Sequence, residues 1–109
     1  MGKANDLLAG TLDMLVLSAL RHGRMHGYGI ARFLQQVSDD FLQVEEGSLY
    51  PALQRLELNG LIDGEWSVTP TNRRARFYRL TPGGLKRLQA ETERYQNMTL
   101  AIAKVLGTA

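Results

Sequence analysis

The chain has 109 residues, a formal net charge of +2 at pH 7 and a hydrophobic fraction of 44%. This length favours a single domain with a thin core, and the lack of cysteine excludes disulfides, thiolate catalysis and cysteine-ligated zinc. No apolar run approaches the length of about 18 residues that a membrane span needs, and the N-terminal residues lack the apolar region of a signal peptide. We therefore expect a cytoplasmic protein without a membrane partner.

Basic residues are concentrated between Trp66 and Ala90. This segment contains neither Asp nor Glu, and its basic residues are Arg73, Arg74, Arg76, Arg79, Lys86 and Arg87. A local basic block in a nearly neutral chain indicates a directed contact with a polyanion. A solvated charged face is the plainer alternative.

Two helices are predicted before residue 40. Thr11 can cap the first, which runs to about Arg21. Its apolar stripe comprises Leu12, Leu15, Val16, Ala19 and Leu20. Residues 26–29 are a glycine-rich entry into the second helix, and residues 38–40 end it. The apolar face of the second helix comprises Ile30, Ala31, Leu34 and Val37, with Phe33 at its edge. Residues 41–44 form a short apolar bridge or a minimal strand.

Residues 45–62 are the segment around which the chain is organised. Their apolar stripe has the i, i+3, i+4, i+7 spacing of a helix and comprises Leu49, Ala52, Leu53 and Leu56. The face left outside the stripe comprises Ser48, Tyr50, Pro51, Gln54 and Arg55. Proline is tolerated only in the first turn of a helix, so Pro51 predicts a start near Ser48. Asn59 and Gly60 predict its end, because both tolerate positive φ.

A hairpin and a long helix complete the predicted order. Short β-branched or aromatic runs occupy residues 61–68 and 75–80, with turn residues at 69–72 between them. Arg73, Arg74 and Arg76 lie at the tip of this hairpin. Thr81 and Pro82 then begin a final helix as N-cap and first helical residue. Gly83 and Gly84 should weaken its first turn by about 1 kcal/mol each relative to alanine.

The final helix carries a heptad seam in which apolar or small residues alternate at spacings of three and four. The seam comprises Leu85, Leu88, Thr92, Tyr95, Thr99, Ile102 and Leu106. About 25 residues at 1.5 Å each form a rod of roughly 37 Å, which is longer than a domain of this size covers alone. We therefore predict a homodimer formed through this helix. The alternative is that the seam folds back on its own domain.

The order of three helices, a two-stranded wing and a long helix predicts a mainly α protein with a winged helix-turn-helix fold. We expect residues 1–81 to form the DNA-binding domain and residues 82–109 the dimerisation helix. In this arrangement the third helix enters the major groove of double-stranded DNA, and the wing follows the backbone. Two copies related by a two-fold axis would contact half-sites roughly 34 Å apart in a palindromic operator.

The predicted DNA contacts lie on the third helix and on the wing. Those on the helix are Ser48, Tyr50, Pro51, Gln54 and Arg55. Those on the wing are Arg73, Arg74 and Arg76, which would bind phosphates or enter a minor groove. Pro51 could contact a thymine methyl group. Tyr50 has an alternative place in the core beside Leu49.

No set of residues suggests catalysis, a cofactor or a metal site. His22 and His26 are four residues apart but lie around a glycine at a helix end, so packing or surface roles are favoured over a metal pair. Gly27 and Gly29 do not form a phosphate loop, because no strand precedes them and no Gly-Lys-Ser/Thr follows. We therefore expect a protein that is not an enzyme.

Several segments resemble the PadR family of transcriptional regulators. They are Gly10-Thr-Leu-Asp-Met-Leu-Val-Leu, His26-Gly-Tyr-Gly-Ile, Val44-Glu-Glu-Gly-Ser-Leu-Tyr-Pro-Ala-Leu-Gln-Arg-Leu-Glu, Gly60-Leu-Ile and Arg74-Ala-Arg-Phe-Tyr-Arg-Leu-Thr-Pro-x-Gly. These segments occur in family order and cover about residues 8–93. The third segment, followed by the arginine-rich fifth, is far more specific than a generic helix-turn-helix pattern.

The resemblance implies a dimeric DNA-binding regulator, usually a repressor that a small molecule releases. One helix after the wing implies the short subfamily. The single tryptophan, Trp66, falls on the wing, so a ligand held between tryptophans of the last helix is not supported. Tyr95 and Met98 are the nearest candidates for lining an effector cavity, and core packing is favoured for both. The alternative function is a winged-helix module that binds an acidic protein partner and no DNA.

Overall fold

A computed structural model of the protein describes residues 11–109. These residues form four helices and three strands, in the order α1 (Leu12–Leu20), β1 (Met25–His26), α2 (Gly27–Val37), α3 (Glu46–Leu58), β2 (Ile62–Val68), β3 (Arg74–Leu80) and α4 (Pro82–Leu106). The predicted mainly α winged helix-turn-helix fold with a long final helix is confirmed. Gly10, which opens the first segment of the family resemblance, lies outside the described residues.

The wing is an antiparallel hairpin that gains a third strand. β2 pairs with β3 from Ile62↔Leu80 to Val68↔Arg74, and β1 pairs with the other edge of β3, which gives the order β1-β3-β2. β1 was not predicted, because two residues show no periodicity and pair only after the chain has folded. A strand at residues 41–44 is not observed, and Phe41 there is 79% exposed.

The core lies between the helices and the inner face of the sheet. The predicted stripe of α3 is confirmed, since all four of its residues are buried. Three positions differ from the prediction. In α1, Leu17 is fully buried and Leu15 only partly, because α1 packs against both α3 and α4. Val37 is 63% exposed, because the last turn of α2 extends past the core.

The start of α4 is fixed by close contacts with the end of α3. The Thr81 hydroxyl accepts a hydrogen bond from the Gly84 N–H at 2.9 Å and donates one to the Gly60 carbonyl at 2.8 Å. A Cβ at position 84 would lie 2.0 Å from the Leu61 carbonyl oxygen. Besides its expected low helix propensity, Gly84 therefore has a packing role, because no larger residue fits between α4 and this carbonyl.

The second half of α4 extends beyond the core, since its residues are almost all exposed, and the chain including this helix measures 51 × 32 × 21 Å along its principal axes. The first half packs on α1, and Leu88 is part of the core. The domain division at residues 81 and 82 stays a prediction: α4 begins at Pro82, and its residue Leu88 packs in the core. Within residues 11–109, no helix is both long enough and apolar enough to cross a membrane.

Candidate nucleic-acid interface

A basic groove of about 1200 Å³ separates the wing from the N-terminal ends of α2 and α3. Its lining includes four arginines and one acid, which are Arg32, Arg73, Arg74, Arg76 and Glu46. Polar and aromatic side chains from the same elements complete it, including Tyr28, Gln36, Tyr50, Trp66 and Thr71. The groove thus combines positive charge with side chains that can donate hydrogen bonds, which suits a polyanionic ligand.

Helix α3 begins two residues earlier than predicted. The helix starts at Glu46, so Pro51 lies in its second turn and not in its first. Proline has no N–H, and the carbonyl of Gly47 therefore lacks the usual bond from four residues ahead. This loss is tolerable because Gly47 and Pro51 are both exposed to solvent. Tyr50 and Gln54 are also exposed, and Ser48 is half-buried.

Tyr50 lies between α3 and the start of α2. Its side chain is 45% exposed and lines the groove. A Cβ at Gly27 would lie 3.2 Å from Cε1 of the ring and 3.3 Å from its hydroxyl oxygen. The alternative prediction, that Tyr50 packs in the core, is therefore only half right. One edge of its ring packs on the backbone of Gly27, and the rest of the ring is open to the groove.

The wing tip presents Arg73 and Arg74 to solvent. Both are exposed, and within residues 11–109 neither forms an ion pair. The Arg74 guanidinium lies 4.8 Å from the centroid of the Trp66 ring, which holds it by a cation–π contact. The turn is closed by a bond from the Thr69 N–H to the Arg73 carbonyl at 2.8 Å. These two guanidinium groups are therefore available to an outside anion.

Arg55 and Arg76 are occupied by internal ion pairs. Arg55 Nη2 lies 2.6 Å from Oδ1 of Asp13 in α1, and Arg76 Nη2 lies 2.5 Å from Oε2 of Glu57 in α3. The hydrogen bond to each carboxylate raises the pKa of the arginine above its usual value. Two of the eight predicted DNA-contacting residues thus have carboxylate partners inside the protein.

Next to Arg76, Tyr78 is 7% exposed, and burial raises the pKa of its phenol. Glu57 and Tyr50 raise this pKa further, whereas Arg76 lowers it. The phenol therefore stays neutral, and it contributes an uncharged wall between the wing and α3.

Helix α2 contributes residues that the sequence analysis missed. Tyr28, Arg32 and Gln36 line the groove, and the Arg32 guanidinium lies 6.0 Å from the Tyr28 ring. The signal was present in the sequence, because polar or aromatic residues at i, i+4 and i+8 share one face of a helix. The apolar stripe that predicts this helix does not by itself identify this polar face.

The two histidines have structural partners. Nδ1 of His26 accepts a hydrogen bond from the Gly29 N–H at 2.9 Å and so caps α2, and its ring stacks on Phe77 at 5.0 Å. His22 contacts the ring of Phe33 at 5.0 Å. Between Thr11 and Ala109, no three histidine or acidic side chains are grouped as a metal site would require.

The predicted seam of α4 divides into buried and exposed parts. Leu88 is 2% exposed and packs in the core of its own domain, and Thr92 is half-buried. The other seam residues are exposed, namely Leu85, Tyr95, Thr99, Ile102 and Leu106. Met98 and Val105 are exposed beside them. The apolar surface available to a partner therefore lies mainly in the last 12 residues of α4, from Tyr95 onward.

Two solved structures are similar to the whole fold. A transcriptional regulator from Clostridium thermocellum has a TM-score of 0.82 and 32% sequence identity, with coverage of 91% of this chain and 96% of that one. A PadR family transcriptional regulator from Eggerthella lenta has a TM-score of 0.78 and 34% identity, with coverage of 95% and 88%. Both of these proteins are transcriptional regulators.

The sequence comparisons agree with the structural ones. The negative transcriptional regulator PadR of Bacillus subtilis is 27% identical over 85 residues, which are 78% of this chain and 47% of that protein. The chain thus spans about half the length of this relative. The family model described as the transcriptional regulator PadR-like family matches residues 16–90, which form most of the domain and the groove. The chain therefore belongs to the PadR-like family of transcriptional regulators.

Proposed function

We propose that this regulator binds double-stranded DNA through the basic groove and acts as a homodimeric repressor at a palindromic operator. The observation that carries the proposal is the position of the exposed Arg73 and Arg74 across the groove from the first turns of α3. A helix in the major groove and a wing on the backbone need this arrangement.

The residues have separate roles in the proposed complex. Ser48, Tyr50, Pro51 and Gln54 would lie at base edges, since α3 carries them on its open side or beside it. Arg73 and Arg74 would neutralise phosphates. Tyr28 and Arg32 would add a contact from α2. We leave Arg55 and Arg76 out of the contact set, because their guanidinium groups already have carboxylate partners.

The exposed half of α4 supports the dimer. Tyr95, Met98, Ile102, Val105 and Leu106 are between 49% and 87% exposed, and burial of such apolar surface is worth about 25 cal/mol per Å². A second copy of this helix offers a matching apolar surface, and a two-fold axis makes the contact self-complementary.

Repression and release by a small molecule complete the proposed function. The Bacillus subtilis relative is named a negative transcriptional regulator, which supports repression. Release by a small molecule is supported by the resemblance to PadR regulators. We propose an effector without assigning its chemistry.

The first experiment selects bound duplexes from a random pool and then titrates the selected and the random duplex with salt. A phosphate-contacting dimer should give a two-fold symmetric motif with half-sites about one helical turn apart. Its affinity should fall by several decades between low and moderate salt. Absence of duplex binding at low salt would overturn the proposal and favour a module that binds an acidic protein.

A further inference from the structure

One side chain of the wing, that of Arg76, reaches across the sheet to α3. Arg76 starts from the centre of β3, and its Nη2 reaches Oε2 of Glu57 in the last turn of α3 at 2.5 Å. Both side chains are about one-third exposed, at 33% and 32%. Water therefore screens this pair less than the ion pairs at the fully open surface.

Gly64 provides the space through which Arg76 reaches α3. A Cβ at position 64 would lie 2.8 Å from Nε of Arg76 and 3.0 Å from its Cζ. Gly64 and Trp66 are on the same face of the sheet as Arg76, as the strand register shows. The guanidinium also lies 5.9 Å from the Trp66 ring and 6.0 Å from the Tyr78 ring, so its stem is confined on several sides.

Glu57 is an unfavourable residue at its position unless it has a cationic partner. An acid in the last turn of a helix opposes the macrodipole, whose negative end is there. It would also repel DNA phosphates that approach the groove. Arg76 neutralises this charge and accounts for an acid so near a polyanion-binding face.

We propose that Arg76 and Glu57 are a positioning pair that fixes the angle of the wing to α3 and so places Arg73 and Arg74 on the same duplex as the helix. The inference rests on the proposed DNA binding. Arg76 in this role does not neutralise a phosphate. Its loss misplaces the two arginines that lie two and three residues before it in the chain.

The experiment compares the full chain with Glu57→Gln, Arg76→Gln and the double variant, using the selected and the random duplex over a range of salt. Simple electrostatics predicts that Glu57→Gln tightens DNA binding, because it removes a negative charge. A positioning role for Arg76 and Glu57 predicts instead that Glu57→Gln weakens DNA binding. Affinity for the selected duplex should fall about three- to tenfold, which is what one partly exposed charged hydrogen bond is worth.

Two further readouts separate positioning from a phosphate contact. The salt slope should change equally in Glu57→Gln and Arg76→Gln, because both act through Arg73 and Arg74, whereas a phosphate contact made by Arg76 itself would lower the slope by about one unit in Arg76→Gln alone. The double variant should bind no more weakly than Arg76→Gln, because the two residues act as one unit. Arg79→Gln is the matched control, since Arg79 is an exposed arginine of the same strand outside the groove.

The fluorescence emission of Trp66, the single tryptophan, tests the Arg76–Glu57 pair in the absence of DNA. Glu57→Gln should shift this emission, because the guanidinium near the indole loses its anchor. Unchanged or tighter binding by Glu57→Gln, or a salt slope that falls in Arg76→Gln and not in Glu57→Gln, would overturn the inference. If the unmodified chain binds no duplex, the proposed function fails instead. In that case, an emission spectrum that is the same for Glu57→Gln and for the unmodified chain would overturn the proposed role of the Arg76–Glu57 pair.

Discussion

Tyr50 packs so closely on Gly27 that a methyl group at position 27 would lie 3.2 Å from Cε1 of its ring. The contact joins α3 to the first turn of α2, and so helps to set the angle between these two helices. Tyr50 keeps nearly half of its surface open to the groove. Any displacement of the ring by α2 therefore reaches the proposed DNA surface directly.

Gly27→Ala should weaken DNA binding while the protein stays folded. The new methyl group forces the Tyr50 ring outward by a few tenths of an ångström, and we expect a loss of affinity of about two- to tenfold for the selected duplex. Duplex titration measures this loss. Gly47→Ala is the stability control, because a Cβ there meets nothing within 4 Å. It should raise the free energy of unfolding by about 0.5–1 kcal/mol.

Gly84→Ala should destabilise the fold strongly. Its Cβ would overlap the Leu61 carbonyl oxygen at 2.0 Å, and backbone cannot move aside as a flexible side chain can. We expect a loss of about 2–3 kcal/mol in urea unfolding. The neighbouring Gly83→Ala should be neutral or stabilising, since its nearest atoms are 3.7 and 3.8 Å away. Equal effects of the two substitutions would contradict the close contact between α4 and Leu61.

Arg74→Ala should weaken binding to all duplexes alike and lower the salt slope by about one unit. The side chain is exposed, and no ion pair within the described chain competes for its charge. Salt titrations of the selected and random duplexes test both effects. Arg79→Ala removes the same charge from the same strand outside the groove, and its slope should match that of the unmodified chain. A base-specific effect of Arg74→Ala would argue against phosphate binding.

Gln54→Ala should reduce affinity for the selected duplex by about 1–3 kcal/mol and leave binding to random DNA unchanged. The amide is exposed on α3 and can form two hydrogen bonds to a base edge. Competition between the two duplexes measures this difference. An equal loss on both would show that Gln54 contacts backbone or supports the fold.

Ile102→Asp should produce monomers, because a buried charge without a partner opposes the proposed contact between two α4 helices. Analytical ultracentrifugation gives the mass directly. Leu100→Asp is the matched control: Leu100 is also about half exposed but lies on the other side of the helix from the seam. If Ile102→Asp leaves the mass unchanged, the dimer is held elsewhere or does not exist.

Most of the fold followed from local patterns along the chain. The stripe of Leu49, Ala52, Leu53 and Leu56 identified both the existence of α3 and its buried face, because helical periodicity is visible within a dozen residues. Thr81 and Pro82 located the start of α4 equally well. The two-residue strand β1 was invisible, since it exists only through pairing with β3, some 50 residues later.

The site was also predicted only in part, because local patterns do not show contacts between residues far apart in the chain. The sequence by itself determined the polar face of α3 and the basic wing, because composition and period are properties of short segments. Tertiary structure alone decided that Arg55 pairs with Asp13 and Arg76 with Glu57, which lie 42 and 19 residues away in the chain. It likewise decided that Tyr50 rests on Gly27 and that Gly84 faces the Leu61 carbonyl. Which arginine remains free for a ligand depends on distances that only folding sets.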